Sequence, residues 1–142
     1  MNQQHWEDVY RRNQPDTVSW FQQQATMSLG LIERYKTLNN STLIDVGAGA
    51  SFLVDTLLAR HVKAVTLLDL ADSAFTTTKQ RLREHAALVD WQVGDVLQHS
   101  LPESYYDVWH DRAVFHFMTT AGQRQAYLSQ LNKSLKHGGL FV

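Results

Sequence analysis

The stretch from Leu43 to Ser51 constrains the fold more than any other part of this sequence. An apolar run at residues 43–46 leads into a turn with two glycines, Gly47 and Gly49, and apolar residues at helical spacing follow from Ser51. A brief apolar run is typical of a covered parallel strand, and the glycines permit a sharp turn and close approach of a ligand. The free N–H groups of the next helix favour a polar or anionic group. The stretch therefore predicts a strand, a glycine turn and a helix that cradle part of a nucleotide-like ligand.

The spacing of this turn argues against a dinucleotide site. The dinucleotide fingerprint G-x-G-x-x-G/A needs a small sixth residue for close helix packing, and Phe52 stands there. Asp45, two residues before the first glycine, would repel a pyrophosphate but could accept hydrogen bonds from an ammonium group. A nicotinamide-dependent oxidoreductase is therefore a disfavoured alternative.

Composition excludes several classes of protein. The 142 residues suffice for one core, and a formal charge of −1 provides no electrostatic attraction for nucleic acid or a membrane surface. With no cysteine the chain has neither disulfides nor a thiolate metal site, and its seven histidines lack metal-ligand spacing. The N-terminus lacks the apolar region of a signal peptide, and no apolar run reaches about 20 residues. We expect a cytoplasmic protein without a metal.

Apolar periodicity predicts alternating helices and strands. Strands are expected at 43–46, 62–68, 89–93, 105–109 and, three residues long, 140–142; helices are expected at 3–14, 25–35, 51–60, 73–84 and 120–135. In the second helix the inward residues are expected to be Met27, Leu31, Ile32 and Tyr35. The alternation predicts an α/β fold, a doubly wound parallel sheet at residues 41–142, preceded by a helical leader at 1–40.

Polar residues follow each predicted strand at the edge where parallel strands end. Asp45 and Gly47 belong to the first strand, and Asp69 ends the second, 22 residues after Gly47. Asp95 follows the third strand, and His110 begins a polar group of three after the fourth. Any single acid can be a helix cap or a solvated loop residue, but acids at three successive strand ends favour a ligand site.

The D-x-G-x-G pattern at 45–49, taken with these strand ends, resembles the class I S-adenosylmethionine-dependent methyltransferases. Residues 106–109 resemble the family's fourth-strand motif, and residues 136–140 resemble the turn before its fifth strand. The segments 5–10, 18–21 and 109–117 are similar to one bacterial branch of small methyltransferases. The resemblance implies a Rossmann-like core that binds S-adenosyl-L-methionine and releases S-adenosyl-L-homocysteine.

The resemblance also implies roles for individual residues. Asp69 would bind both ribose hydroxyls with Leu70 beside it, and Asp95 would receive the adenine amino group with the Val96 backbone beside the ring. The amino-acid end of the cofactor would lie against the turn residues, which are Asp45, Gly47, Ala48 and Gly49.

The resemblance also makes two further groups of residues candidates for the site. Trp6, Tyr10 and Trp20 would form a lid over the cofactor, although Trp6 and Tyr10 could equally pin a helix to the sheet. His110 or Asp111 would touch the methyl end or the acceptor as the catalytic group. Alternatively, Asp111 pairs with Arg112 and braces the loop.

In one respect the sequence departs from the family, whose sheet has seven strands. This chain is expected to be truncated relative to the family, three residues into the fifth strand, so that the acceptor half is missing. A cofactor-binding module without turnover is therefore an alternative function. The uncovered sheet edge predicts a homodimer. The acceptor is expected to be a small molecule or a protein lysine, with no nucleic acid or membrane as partner.

Overall fold

The computed structural model describes residues 3–4, 18–49 and 51–142, with the backbone alone at residues 18–22 and 24. Five strands form one sheet, and every pairing is parallel. The strands are β1 (Thr42–Val46), β2 (Ala64–Asp69), β3 (Val89–Val93), β4 (Tyr106–Asp111) and β5 (Leu135–Phe141). The α-helices within residues 18–142 are α1 (Val18–Tyr35), α2 (Leu53–Ala59), α3 (Asp72–Leu82) and α4 (Ala121–Ser134).

The strand order is β3-β2-β1-β4-β5, which confirms the predicted doubly wound α/β fold. The chain builds outward from β1 to β3, returns to the other side of β1 for β4, and continues outward to β5. The order therefore reverses between β1 and β4, and ligands of open parallel sheets bind outside the strand carboxyl ends at such a point. Both the glycine turn after β1 and the polar residues at the end of β4 lie there.

Strand β1 is buried along its whole length, and its side chains alternate between two cores. Leu43 belongs to the core under α1 and α2, whereas Ile44 and Val46 belong to the core under α4. By the same alternation Asp45 points to the α1 side of the sheet. The central strand thus carries a carboxylate into an otherwise apolar layer.

The predicted inward face of α1 is wrong for three of its four residues. Ile32 is fully buried, but Met27, Leu31 and Tyr35 are 65%, 48% and 64% exposed. The buried stripe consists of Ala25, Leu29 and Ile32. Both stripes have helical spacing, so periodicity alone could not identify the side that meets the sheet. The helix also starts at Val18 rather than at residue 25.

Strand β5 begins five residues earlier than predicted, directly after α4. Gly138 and Gly139 do not form a turn that precedes the strand; they lie within it, and Gly138 has a φ of 79°. The pairing with β4 shifts between Tyr106↔Leu135 and Val108↔Leu140. A bulge there absorbs the extra residues of β5, and glycine tolerates the left-handed backbone that a bulge requires.

The other boundaries differ from the predictions by a few residues. β2 begins at Ala64, α3 ends at Leu82 and continues as a 3₁₀ turn, and β4 extends to Asp111. Trp6, Tyr10 and the side chain of Trp20 lie outside the described residues. Within the described part of the chain, no helix combines the length and apolarity needed to cross a membrane.

Candidate functional site

The glycine turn is held between the end of β2 and the loop after β4. Gly47 N and Ala48 N donate hydrogen bonds of 2.8 and 3.3 Å to the carbonyl of Leu68. Gly47 has a φ of 71°, and a Cβ there would lie 2.2 Å from Val114 Cγ2. A side chain at position 47 would therefore meet both backbone strain and a packed valine, which explains why the turn needs glycine.

Asp69 joins the carboxyl end of β2 to the same turn. Its side chain is almost fully buried; Oδ2 accepts a 2.8 Å hydrogen bond from Gly49 N, and Oδ1 accepts one of 2.9 Å from Ala71 N. An ionised carboxylate acts only as a hydrogen-bond acceptor, and it can accept on both of its oxygens. The predicted ribose-binding acid is thus fixed by the backbone at the edge of the sheet.

A cleft opens at the carboxyl ends of β1, β2 and β3. Four of the predicted cofactor residues line it, namely Gly47, Asp69, Leu70 and Val96. Asp95 is not among the described lining residues, and its Oδ1 instead accepts a 2.9 Å hydrogen bond from Leu97 N. The structure therefore brings four of the predicted cofactor residues to one cleft, and the Asp95 carboxylate is turned toward its own loop. The other predicted residues that the structure describes, Asp45, Ala48, Gly49 and His110, are not among the residues that line this cleft.

Asp45 and His110 meet because β1 and β4 pair in register. The two residues are direct cross-strand partners, so their side chains leave the sheet on the same face. His110 Nδ1 lies 2.8 Å from Asp45 Oδ1, and His110 Nε2 lies 2.8 Å from the hydroxyl oxygen of Ser28 on α1. A continuous hydrogen-bonded chain therefore runs from a fully buried carboxylate through a buried imidazole to a half-buried serine.

The second oxygen of Asp45 has no hydrogen-bond partner among the described residues. A buried carboxylate oxygen without a donor is unfavourable, by about 1–3 kcal/mol or more for a charged group. Asp45 precedes Gly47, the first glycine of the turn, by two residues. A cationic ligand group at the turn, such as an ammonium, would satisfy it.

A second cavity, which we call the α1 cavity, lies between α1, the start of α2 and the end of β4, and has a volume of about 360 Å³. It is lined by Ala25, Met27, Ser28, Leu31, Ser51, Leu53, His110, Asp111, Arg112 and Ala113. Arg112 and Ala113 also line the first cleft. The two spaces are therefore neighbours, separated by the segment that follows β4.

The carboxylate of Asp111 braces the loop after β4. It accepts hydrogen bonds from Val114 N at 2.6 Å, Phe115 N at 3.1 Å and the hydroxyl of Tyr127. Burial and the nearby charge of Asp111 raise the pKa of Tyr127, so its hydroxyl stays protonated and donates. The guanidinium of Arg112 donates to the carbonyl of Ala48 at 3.1 Å. The loop is thus held from both sides, and a catalytic role for Asp111 remains a prediction.

Comparison with known proteins identifies the family. The profile of a family described as a methyltransferase domain matches residues 44–141, which is more than half of the chain. The chain belongs to the class I S-adenosylmethionine-dependent methyltransferases. Their cofactor is S-adenosylmethionine. None of the curated proteins matches the chain significantly.

Solved structures share the fold of this methyltransferase domain. A Methanococcus maripaludis protein described as an S-adenosylmethionine-dependent methyltransferase is 16% identical, with a TM-score of 0.73 over 97% of this chain and 61% of its own. A chain from the complex of the Haloferax volcanii Trm112 methyltransferase activator with a methyltransferase is 17% identical, with a TM-score of 0.75 over 94% and 57%. Geranyl diphosphate C-methyltransferase from Streptomyces coelicolor, solved with S-adenosyl-L-homocysteine, is 16% identical, with a TM-score of 0.63 over 82% and 43%. This chain therefore spans about half the length of the structures it resembles.

Sequence reasoning missed Ser28 and the α1 cavity. Ser28 is a single polar residue within a helix, and its partner His110 is 82 positions away in the chain. No periodicity or motif marks such a contact. In the described residues, no group of three histidine or carboxylate side chains is placed to hold a metal ion.

Proposed function

We propose that this chain binds S-adenosylmethionine in the cleft at the glycine turn and transfers its methyl group to a small molecule or a protein lysine. The observation that carries the proposal is the glycine turn with two fixed carboxylates beside it, in a chain of the methyltransferase family. The near-neutral charge supports these acceptors rather than nucleic acid.

The residues at the turn have the chemistry that this cofactor needs. The unpartnered Oδ2 of Asp45 would accept from the ammonium group, and Ala48 and Gly49 would lie along the amino-acid end. Asp69 would accept from the ribose hydroxyls, since Gly49 N and Ala71 N hold its carboxylate at the edge of the sheet and a carboxylate accepts hydrogen bonds from hydroxyl groups.

The adenine end would lie farther along the cleft. Leu70 and Val96 line it and would flank the ring, while Asp95 would receive the adenine amino group after turning from its own loop. When bound, S-adenosylmethionine supplies an electrophilic methyl group whose departure leaves a neutral thioether. The chain's own task is then to align the acceptor and exclude water.

A calorimetric titration with S-adenosyl-L-homocysteine tests the cofactor site. We expect micromolar binding that Asp69→Asn weakens by about 1.5–3 kcal/mol, because hydrogen bonds to a buried ligand are lost. Asp72→Asn, which changes an exposed carboxylate three residues away in the first turn of α3, serves as the matched control. Absence of binding by the folded chain, or equal weakening by both substitutions, would contradict the proposal.

We further propose that β5 pairs with β5 of a second copy. In the described part of the chain β5 has a neighbour on one side only, and several of its residues are partly exposed. An uncovered edge strand offers free backbone donors and acceptors to another chain.

A further inference from the structure

The orientation of His110 follows from the groups on its two ring nitrogens. An ionised carboxylate accepts and cannot donate, so the bond between Asp45 Oδ1 and His110 Nδ1 places a proton on Nδ1. In the neutral ring Nε2 is then an acceptor, and the Ser28 hydroxyl donates to it across 2.8 Å. In the neutral form of this buried histidine, the unprotonated nitrogen therefore faces a hydroxyl in the lining of the α1 cavity.

We propose that the α1 cavity binds the methyl acceptor and that His110 removes a proton from an acceptor hydroxyl or amine that takes the place of the Ser28 hydroxyl. This inference rests on the proposed function. In it His110 is the catalytic base, and Asp45 is a positioning residue that fixes the tautomer and stabilises the charged ring. Ser28 occupies the acceptor's position at Nε2 until the acceptor binds.

The proton balance of the step is simple. The acceptor's oxygen or nitrogen forms the new bond to the methyl carbon, and the carbon–sulfur bond breaks with its electron pair going to sulfur. The acceptor's proton goes to His110 Nε2, and the resulting imidazolium is stabilised by Asp45 until the proton leaves to solvent. An acceptor without a proton on its reacting atom would need no such base.

The lining of the cavity indicates the kind of molecule that fits. Its apolar part comes from α1 and the start of α2, with Met27 and Leu31 at the α1 side and Leu53 opposite. The polar part comes from Ser28, Ser51, His110, Asp111 and Arg112. A volume of about 360 Å³ lies within the range of small-molecule sites, so the expected acceptor has a small apolar body and one hydroxyl or amine.

A cysteine in place of Ser28 tests proton removal without knowledge of the acceptor. The chain has no cysteine, so alkylation of Ser28→Cys by iodoacetamide can be followed by mass spectrometry without background. If His110 takes protons from this position, the thiol becomes a thiolate next to an imidazolium and reacts quickly at neutral pH. We expect alkylation about tenfold faster than in the double variant with His110→Gln, and an intermediate rate with Asp45→Asn.

Leu31→Cys is the matched control, because position 31 lines the same cavity on the same helix. Its alkylation rate should be unchanged by His110→Gln. Equal rates for Ser28→Cys with and without His110, or a thiol that the reagent never reaches in the folded chain, would overturn the inference. Binding of S-adenosyl-L-homocysteine is measured on the same variants. If the parent chain binds S-adenosyl-L-homocysteine but the alkylation rate of Ser28→Cys does not depend on His110, only the role of His110 as a base is refuted. If the parent chain does not bind S-adenosyl-L-homocysteine, the proposed function is refuted.

Discussion

The carboxylate of Asp107 ties the amino ends of β1 and β4 together. Its Oδ2 accepts hydrogen bonds from Thr42 N at 2.8 Å and from the Thr42 hydroxyl at 3.0 Å, and its Oδ1 lies 3.2 Å from Lys136 Nζ. Burial alone would raise the pKa of Asp107, but these bonds and the lysine charge outweigh it, and the pKa falls below its usual 3.8. The ionised form is therefore favoured by folding.

This lowered pKa predicts an acid-dependent loss of stability. A carboxyl group whose pKa is lower in the folded state stabilises the fold fully above its unfolded pKa, and the effect is lost as the pH falls through the folded pKa. Asp107→Asn should reduce the free energy of unfolding by about 1 kcal/mol at pH 7 and by less at about pH 3. Urea denaturation at both pH values measures this. Glu103→Gln, at an exposed position nearby in the sequence, should change the free energy of unfolding equally at the two pH values. If the loss caused by Asp107→Asn is the same at both pH values, the lowered pKa of Asp107 is refuted.

At the level of residues, the sequence predicted which residues lie at the strand ends better than it predicted which side chains contact each other. Asp69 and Gly47 are where the motif spacing indicated, because turn chemistry is local and glycine is needed for a definite backbone angle. The partnership of Asp45 with His110 depends on which residues β1 and β4 place opposite each other, 65 positions apart. That register is set by the packing of the whole sheet and has no local signal.

Helix α1 presents two apolar stripes, and only one contacts the core. Ile32 is fully buried against the sheet, whereas the neighbouring Leu31 is 48% exposed and lines the α1 cavity. Hydrophobic spacing predicted the helix but not its rotation, because both stripes repeat at helical intervals. The rotation depends on the sheet that covers the stripe with Ala25, and the sequence of the helix carries no signal for that contact.

The rotation of α1 predicts that truncating two adjacent aliphatic residues changes the free energy of unfolding by very different amounts. Ile32→Ala should lower the free energy of unfolding by about 2–5 kcal/mol, because it leaves a cavity in a packed core. Leu31→Ala should change it by less than about 0.5 kcal/mol, as for other exposed positions. Denaturant unfolding of the two variants compares them directly. Similar losses of stability would show that the helix is rotated toward the originally predicted face.

For the molecule as a whole, the described sheet has two edge strands at which a copy could pair. Among the described strands, β3 forms one edge and β5 the other. Phe141, near the end of β5, is 46% exposed. Strand β3 has the boundaries that its alternation predicted, whereas β5 incorporates two glycines that the sequence favours in a turn. Pairing with β4 outweighed that local preference.

Association through β5 predicts a concentration-dependent mass. Sedimentation velocity should show a dimer at micromolar concentrations, and Phe141→Lys should shift it toward the monomer, because a charge on an edge strand opposes pairing. Leu88→Lys changes another exposed apolar side chain, outside the strands, and should leave the mass unchanged. A monomeric mass for the parent chain over a wide concentration range would contradict the dimer.

The segment Arg112–Ala113 forms a wall of both the cleft at the glycine turn and the α1 cavity. Arg112 holds the carbonyl of Ala48, and the adjoining Val114 fills the space above Gly47. A ligand that shifts this wall therefore reshapes the neighbouring space. The two binding equilibria are then linked. If the first ligand changes the affinity of the second by some factor, the second must change the affinity of the first by the same factor. If each space holds a ligand, this short stretch of backbone would couple the affinities of the two ligands.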